Sequence, residues 1–383
     1  MALTAVFQIG SLGDTIVSIP TLLSLRERIP GCTEYLLVSR FDGHAKVMPS
    51  HVFDMVWRPA HQVNYDGPGV GIHPLWSAAE TLARLRYYRP RHCVYLMPTR
   101  RTIRQIDRDK LFFNAAGIRD LHGFQPIAEE EASSDGSPLL QTTEAYLRFR
   151  RVWGAEAETT FPRFATLPLL KPGSSARSWV DQWLADNRRY PARPLLAFSP
   201  FANTPARCLP FTSICAVLSG LESDLDVEAI LLGGADDATA GDAAIRESGA
   251  GVNACGAFSL EESAAFLQRC RLVVATDSGP MHLAGAVGVP SVATFSRVSL
   301  RVNRWFPITV GSTILFRDVD CVGCNAAICQ VPGHPCLDGI NANHIIAAAA
   351  NRLRGSSAPP ASIGGTSMFD WTTEVGSAVP VRM

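Results

Sequence analysis

The amino-acid sequence predicts an α/β protein with two lobes, each built on a doubly wound parallel sheet, and a cleft between the lobes. Short apolar runs alternate along the chain with longer segments of helical periodicity, which is typical of parallel strands joined by crossover helices. The runs are apolar throughout, as expected for strands that are covered by helices on both faces. A length of 383 residues suits two ordinary domains better than one.

The strands and helices follow from these runs in chain order. After a short apolar run at residues 5–7, buried strands are predicted at residues 34–39, 92–97, 195–200, 227–234 and 271–278. Helical patterns occupy residues 22–29, 139–153, 212–221, 260–270 and 341–354. The polar segment 128–138 is predicted to be a solvated loop.

Composition shifts divide the chain into four segments. Residues 1–170 form the predicted N-terminal lobe, and residues 195–354 form the C-terminal lobe. Proline, glycine and serine gather at residues 166–178, which indicates a linker region at 171–194. The low-complexity composition of residues 355–383 predicts a disordered tail, within which Phe369 and Trp371 could dock on the protein.

Charge and hydropathy exclude several classes of protein. The 35 basic residues balance the 35 acidic ones, whereas nucleic-acid-binding domains normally carry a basic excess. No run reaches the roughly 18 consecutive apolar residues of a membrane span. The first 25 residues lack a basic segment, and Gly10, Gly13 and Asp14 interrupt their apolar core. We therefore expect no signal peptide and a cytoplasmic location.

Four of the ten cysteines lie close together. Cys321, Cys324, Cys329 and Cys336 have the spacing C-x2-C-x4-C-x6-C, and four thiolates within such a segment can chelate zinc or iron. A reduced or partly disulfide-linked loop is the alternative. The remaining six cysteines are expected to be reduced thiols.

An aspartate stands between the first predicted strand and the first helix. Asp14 follows a loop containing Gly10 and Gly13, in the sequence FQIGSLGDTIVSIP. A carboxylate at this position can cap the helix. It can also point out of the sheet edge towards a substrate.

The most informative segment is residues 273–295. The strand there ends before Asp277 and Ser278, which can cap the next helix, and Gly279 permits close approach to the backbone. His282 lies in the first turn of that helix. A helix start at the carboxyl edge of a parallel sheet favours a phosphate, although an ordinary, well-capped turn has the same pattern.

The string DSGPMHLAGAVGVP, residues 277–290, closely resembles the signature of the bacterial lipopolysaccharide heptosyltransferases, which are glycosyltransferase family nine. The resemblance extends in the correct order over about residues 3–353. It includes Leu12-Gly13-Asp14 with Pro20, Arg207 with Pro210, Asp236 after the string LLGG, Ser259-Leu260-Glu261, and the Cys-rich segment. It implies the GT-B fold, which has two Rossmann-like lobes.

The chain departs from the family at several positions. Gln8 stands where the family usually has arginine or lysine, and Arg207 stands where lysine is usual. Ser296 replaces a glycine, and Ala202 and Asn203 occupy a loop that often carries hydroxyl residues.

The resemblance implies an inverting glycosyltransferase with an acceptor-binding N-terminal lobe and a donor-binding C-terminal lobe. Its donor would be an ADP-heptose-like nucleotide sugar, and its acceptor a glycan such as the lipopolysaccharide core. Asp14 would be the general base, with helix capping as its alternative role. Glycosyltransferases of this family need no metal for catalysis.

The resemblance also assigns residues to the two substrates. Arg207 would neutralise the departing diphosphate, with an ordinary surface arginine as the alternative. Further donor-binding residues would be Asp277, Ser278, Gly279 and His282 at the phosphates, Asp236 at the ribose, and Phe258 against the base. Capping, packing in the core, or a solvated turn are the alternatives for these residues.

Acceptor contacts are expected in the N-terminal lobe. Gly13 and the basic residues Arg100, Arg101 and Arg104, joined by Arg108, would face the phosphates and acidic sugars of a glycan. A solvated helix face is the alternative. Peripheral contact with the inner membrane surface would accompany a glycolipid acceptor.

Two other functions remain open at this point. A nucleotide-sugar epimerase on the same fold would need a further acid/base pair around the sugar, which the sequence does not reveal. A nucleotide-sugar-binding protein with impaired catalysis is compatible with Gln8 and Arg207. A dinucleotide-dependent dehydrogenase is excluded, because no G-x-G-x-x-G follows the first strand.

Overall fold

The structure is a computed structural model that describes residues 3–41, 47–66, 74–127, 143–296, 302–308, 311–355 and 366–371. It divides into two compact units, Met1–Leu169 and Leu170–Met383. The segment predicted as a solvated loop, residues 128–138, lies outside the described residues. None of the helices in the described ranges has the length and apolarity that a membrane crossing requires.

The first unit is a parallel sheet with helices between its strands. Its described elements are β1 (Thr4–Phe7), α1 (Leu12–Ile16), α2 (Ile19–Arg28), β2 (Tyr35–Phe41), α3 (Pro49–Phe53), β3 (His61–Asp66), α4 (Pro74–Tyr88), β4 (His92–Tyr95), α5 (Ile103–Ala115), β5 (Asp120–His122), α6 (Glu144–Trp153) and α7 (Ala157–Phe164). The strands lie in the order β3-β2-β1-β4-β5, and all pairs are parallel. The order reverses between β1 and β4, which makes this position a topological switch point.

The second unit repeats this plan. Its described elements are α8 (Ser174–Asn187), β6 (Leu195–Ser199), α9 (Phe211–Leu225), β7 (Glu228–Leu231), α10 (Ala238–Ser248), β8 (Val252–Asn253), α11 (Leu260–Leu267), β9 (Leu272–Thr276), α12 (Gly279–Ala286), β10 (Ser291–Phe295), β11 (Ser312–Arg317), α13 (Pro335–Asp338), α14 (Ala342–Leu353) and β12 (Thr366–Trp371). The strand order is β12-β11-β10-β9-β6-β7-β8. Here the switch point lies between β6 and β9.

The central strands are buried on both faces. In β1 all four residues are buried, and Phe7 packs against Phe113 and Tyr95 with ring centroids 5.1 and 5.7 Å apart. In the second unit β6, β9 and β10 are buried along their whole length. This burial explains why the strands are continuously apolar rather than alternating, and the α/β prediction is confirmed.

Two segments differ from the prediction. The predicted linker region contains α8, because Ala176, Val180 and Leu184 form one apolar face that is buried in the second unit. The predicted disordered tail contains β12, which pairs antiparallel with β11 along the sheet edge. Backbone hydrogen bonds to an exposed edge do not depend on side-chain composition, so low complexity did not reveal this strand.

Candidate active site

In each unit, predicted site residues follow the strands at the switch point. In the first unit Asp14 follows β1. In the second unit Arg207 follows β6, and Asp277 and Ser278 follow β9. Ligands of doubly wound sheets bind at this position, because the two flanking loops separate there and leave a crevice at the carboxyl ends of the strands.

Asp14 caps the short helix α1 in addition to facing the sheet edge. Its Oδ2 accepts hydrogen bonds from the backbone N–H of Ser11 at 3.1 Å and from the Ser11 hydroxyl at 3.0 Å. These bonds satisfy groups at the helix start, as in a capping box. The capping role that the sequence offered as an alternative is therefore present, and it uses one carboxylate oxygen.

The other carboxylate oxygen is held by an arginine that the sequence reasoning missed. Nη2 of Arg148, in α6, donates to Oδ1 of Asp14 at 2.9 Å, and its Nη1 donates to the Asp14 carbonyl at 2.7 Å. The Arg148 side chain is fully buried. Glu144 and Arg148 are an oppositely charged pair at i and i+4 of α6, and this spacing was the available signal.

The carboxylate of Asp14 is not saturated with hydrogen bonds from the described residues. A carboxylate has about four lone-pair positions, and the bonds from Ser11 and Arg148 use three of them. The side chain of Asp14 is 19% exposed. One acceptor position on Oδ1 thus remains for a substrate hydroxyl.

Gly10 determines the space that the Asp14 side chain occupies. Gly10 has a φ of 149°, and a Cβ at this position would lie 2.4 Å from Cβ and 2.9 Å from Oδ2 of Asp14. We expect Gly10→Ala to displace the carboxylate and to lower the rate of the reaction proposed below about 10-fold or more. Gly31→Ala is the matched control, since Gly31 has a φ of 73° and no described atom within 4 Å of its added Cβ. Initial rates and Tm of both variants test this; equal rates for the two would contradict it.

Glu144 neutralises part of the charge around Arg148. Its Oε1 accepts from Nε of Arg148 at 2.9 Å and from the backbone N–H of Thr99 at 2.8 Å, and its Oε2 accepts from the Thr99 hydroxyl at 2.6 Å. Burial by itself raises the pKa of Glu144. The Arg148 guanidinium and the Thr99 hydrogen bonds outweigh burial, so the net pKa lies below its usual value.

The lowered pKa of Glu144 predicts acid sensitivity. Its stabilising contribution is complete above the pKa of the unfolded chain, about 4.3, and is lost as the pH falls through the lower folded pKa. Glu144→Gln should flatten the fall in Tm below about pH 4.3. Glu156→Gln is the control, because Glu156 is 74% exposed in its ion pair with Arg28. Tm profiles from pH 7 to 3 of the two variants and the parent protein test this; a steep parent-like profile in Glu144→Gln would contradict it.

Arg207 is held in place by a buried carboxylate. It ends the 3-10 turn Pro205–Arg207, and its Nη1 lies 3.4 Å from Oδ2 of Asp277. Burial raises the pKa of Asp277, and the Arg207 guanidinium offsets part of that rise. Among the described residues, Nε of Arg207 is buried and has no hydrogen-bond partner. Asp277 was predicted to bind the nucleotide-sugar donor, and in the structure its carboxylate forms an ion pair with Arg207.

The turn that carries Arg207 is tied to the Cys-rich segment. The backbone N–H of Ala206 donates to the carbonyl of Ala327 at 3.0 Å. Within the described residues no group of three or more Cys, His, Asp or Glu side chains is arranged to hold a metal. Cys336 is buried in the core of the unit, whereas Cys324 is exposed.

The start of α12 has the features of an anion site. Ser278 occupies the N-cap position with extended backbone angles, but its hydroxyl donates to the Thr276 carbonyl at 3.2 Å and does not cap the helix. The first backbone N–H groups of α12 therefore donate no hydrogen bond to this side chain. Such amides and the helix dipole both favour a phosphate.

The other three residues predicted to bind the donor are two rings that contact other aromatic rings and one exposed aspartate. The ring of His282 is buried and lies 6.2 Å from that of Trp305. The ring of Phe258 stacks on that of Phe266, with the ring centroids 5.0 Å apart, within a cluster of aromatic rings. This is the packing role that the sequence offered as the alternative. Asp236 is exposed in the turn after β7.

Two of the four arginines predicted to contact the acceptor form internal ion pairs. Arg101 donates to Oδ2 of Asp109 at 2.6 Å, and Arg108 donates to its Oδ1 at 2.8 Å. Arg100 and Arg104 are exposed. Gly13, also predicted to contact the acceptor, is buried in the first turn of α1. Only Arg100 and Arg104 thus combine exposure with no described ion-pair partner.

The geometry at these switch points agrees with a comparison against known families. Residues 165–333, which include Arg207 and the start of α12, match the family model of glycosyltransferase family 9 (heptosyltransferase). This matched segment, which is less than half of the chain, is similar to glycosyltransferases of family 9. A curated relative, lipooligosaccharide heptosyltransferase 2 of Campylobacter jejuni, is 26% identical over 105 residues. That match covers 27% of this chain and 32% of the relative, so it spans about a third of the relative's length.

Solved structures resemble the fold of this chain over nearly its whole length. A glycosyl transferase family 9 protein from Veillonella parvula has a TM-score of 0.65 at 17% identity, covering 93% of this chain and 98% of its own. The E. coli ADP-heptose lps heptosyltransferase II has a TM-score of 0.64 at 16% identity, covering 93% and 99%. At this identity the likeness concerns the fold, and it confirms the predicted GT-B fold.

Proposed function

We propose that this protein is a family 9 inverting glycosyltransferase that moves heptose or a related sugar from ADP-heptose to a glycan acceptor such as the lipopolysaccharide core. One observation carries the proposal above the others. The two groups that such a reaction needs, a carboxylate base and a phosphate-binding cation, each lie at the switch point of their own unit.

The second unit supplies the chemistry for a nucleoside diphosphate. Arg207 offers a cation with an unpartnered Nε, and the start of α12 offers amides that Ser278 does not cap. A diphosphate that accepts from both would have its developing charge stabilised as it leaves the sugar. Asp277 would keep the guanidinium in place during this step, and the exposed Asp236 would accept from the ribose hydroxyls.

The first unit supplies the base. In the proposed reaction Asp14 accepts the proton of an acceptor hydroxyl as the hydroxyl oxygen attacks the anomeric carbon of the donor. The bond from that carbon to the diphosphate oxygen breaks on the opposite face, so the configuration inverts. Arg100 and Arg104, which are exposed, would attract a phosphorylated or acidic acceptor.

The substrates and location are proposed from the named relatives. These act on lipooligosaccharide or carry ADP-heptose in their names, and we extend both to this chain. With a nucleotide-sugar donor and a glycolipid acceptor, the protein would work in the cytoplasm, in peripheral contact with the inner membrane surface.

A transfer assay tests the proposal. The purified protein is incubated with ADP-heptose and with lipooligosaccharide core that lacks heptose, and mass spectrometry follows ADP and the glycan. We expect ADP release together with a gain of one heptose on the glycan, and inverted stereochemistry by NMR. Donor binding without turnover would instead indicate a binding protein, and acceptor-independent change of the donor sugar would indicate an epimerase.

A further inference from the structure

We infer that Arg148 is a positioning residue that fixes the carboxylate of Asp14 for proton transfer. The contact itself is observed in the structure, whereas its catalytic meaning rests on the proposed function. Arg148 lies 134 residues from Asp14 in the sequence and reaches it from α6. Its side chain is fully buried, so it does not itself meet the acceptor.

The guanidinium joins three parts of the first unit. Besides the bonds to Oδ1 and the carbonyl of Asp14, its Nη1 lies 2.9 Å from the Ser18 hydroxyl and 3.0 Å from the Leu96 carbonyl, so the two Nη1 hydrogens are shared among three acceptors. Its Nε donates to Glu144. The helix α1, the loop after β4 and α6 are thus linked by one rigid, planar group.

The position of Asp14 needs such an external support. It lies on α1, a helix of five residues, and helices this short are not stable by themselves. Arg148 binds both the side chain and the backbone carbonyl of Asp14, and so restrains the side-chain torsion and the helix together. A restrained base keeps one orientation towards its substrate. Such pre-organisation raises the rate, because the reacting groups are already in the productive geometry.

Stability by itself does not account for this arginine. Burying a guanidinium and a carboxylate costs desolvation that their attraction often fails to repay, and apolar replacements are frequently as stable. Arg151, which lies three residues further along α6, is also buried but donates to the backbone carbonyls of Tyr95, Met97 and Pro98. Arg148 differs from it in reaching the proposed base.

A second position faces the same groups. Nε2 of Gln8 lies 3.4 Å from the carbonyl of Asp14, and its Oε1 accepts from the Ser18 hydroxyl at 2.9 Å. Nη1 of Arg148 contacts these same two partners. A lysine at position 8 would therefore place its ammonium group next to the groups that Arg148 holds.

The contact is tested without any assay of transfer. Arg148→Met, Asp14→Asn and the double variant are made in a Glu144→Gln background, because removal of Arg148 would otherwise leave a buried, unpaired charge on Glu144. We expect the Tm loss of the double variant to be smaller than the sum of the two single losses by about 3 °C or more. Additive losses would overturn the inference.

The catalytic part is tested by kinetics of the full chain. Arg148→Met is expected to lower kcat about 30-fold and to change KM for the donor less than about threefold. Adding Gln8→Lys should restore part of the lost kcat. Arg151→Met is the matched control, and we expect it to lower Tm while kcat stays within about threefold. A parent-like kcat in Arg148→Met, or an equal loss of kcat in Arg151→Met, would overturn the positioning role.

The two proposals fail in distinguishable ways. If the parent protein transfers no heptose but the Tm losses are non-additive, the proposed function is wrong and Arg148 still fixes Asp14. If the parent transfers heptose and the Tm losses are additive, the function stands and the inference is wrong.

Discussion

Asp14→Asn is expected to lower kcat about 100-fold or more while the Kd of the nucleotide-sugar donor changes less than about threefold. Asparagine has nearly the same shape as aspartate but cannot take up the proton of an acceptor hydroxyl. Donor binding depends on groups of the second unit in our proposal, and the substitution leaves those groups unchanged. Steady-state kinetics and calorimetry with the donor measure the two quantities.

The capping role of Asp14 requires a control. An asparagine side chain has only one acceptor oxygen, so it cannot serve both Ser11 and Arg148 as the carboxylate does. Ser11→Ala removes the hydroxyl bond to Oδ2 of Asp14 and keeps the carboxylate. We expect this control to retain most of the turnover. If Asp14→Asn turns over at a near-normal rate, or if Ser11→Ala loses as much, Asp14 is a structural residue and not the base.

Arg207→Ala is expected to weaken the binding of ADP about 10- to 100-fold and to leave the binding of adenosine nearly unchanged. A charge-assisted hydrogen bond contributes about 1.5–3 kcal/mol, and the phosphates are the only part of the ligand that would lose it. Removal of the arginine also leaves Asp277 buried without its cation. Calorimetric titrations with the two ligands measure the difference.

Arg193→Ala is the matched control for Arg207. Its side chain is 32% exposed, against 36% for Arg207, and it also pairs with one carboxylate, that of Asp226. It precedes β6 and so lies at the amino end of the strand whose carboxyl end leads to Arg207. We expect no change in ADP affinity in this variant. Equal losses of ADP and adenosine affinity in Arg207→Ala would place Arg207 outside the phosphate site.

The sequence by itself determined the fold class and the location of the candidate site. Parallel strands that are buried on both faces must be apolar throughout, and so the strands at residues 195–200 and 271–278 were predicted close to their observed bounds. Asp14 was noticed because it follows the first apolar run, and Arg207 was named through the family resemblance; both follow strands, where ligands of doubly wound sheets bind. These features are local, because they depend on the period of apolar residues and on turn chemistry.

Only the tertiary structure decided which groups act on one another. The sequence does not show that Arg148 binds Asp14, because an i, i+4 pair of charges such as Glu144 and Arg148 has the same pattern in a buried helix and in a solvated one. Nor does it show that Asp277 holds Arg207, or that Cys336 lies in the core while Cys324 is exposed. The periodicity of apolar residues determines which face of a helix or strand is buried. The contacts between charged and thiol groups that are distant in the sequence depend on how the helices and strands pack together.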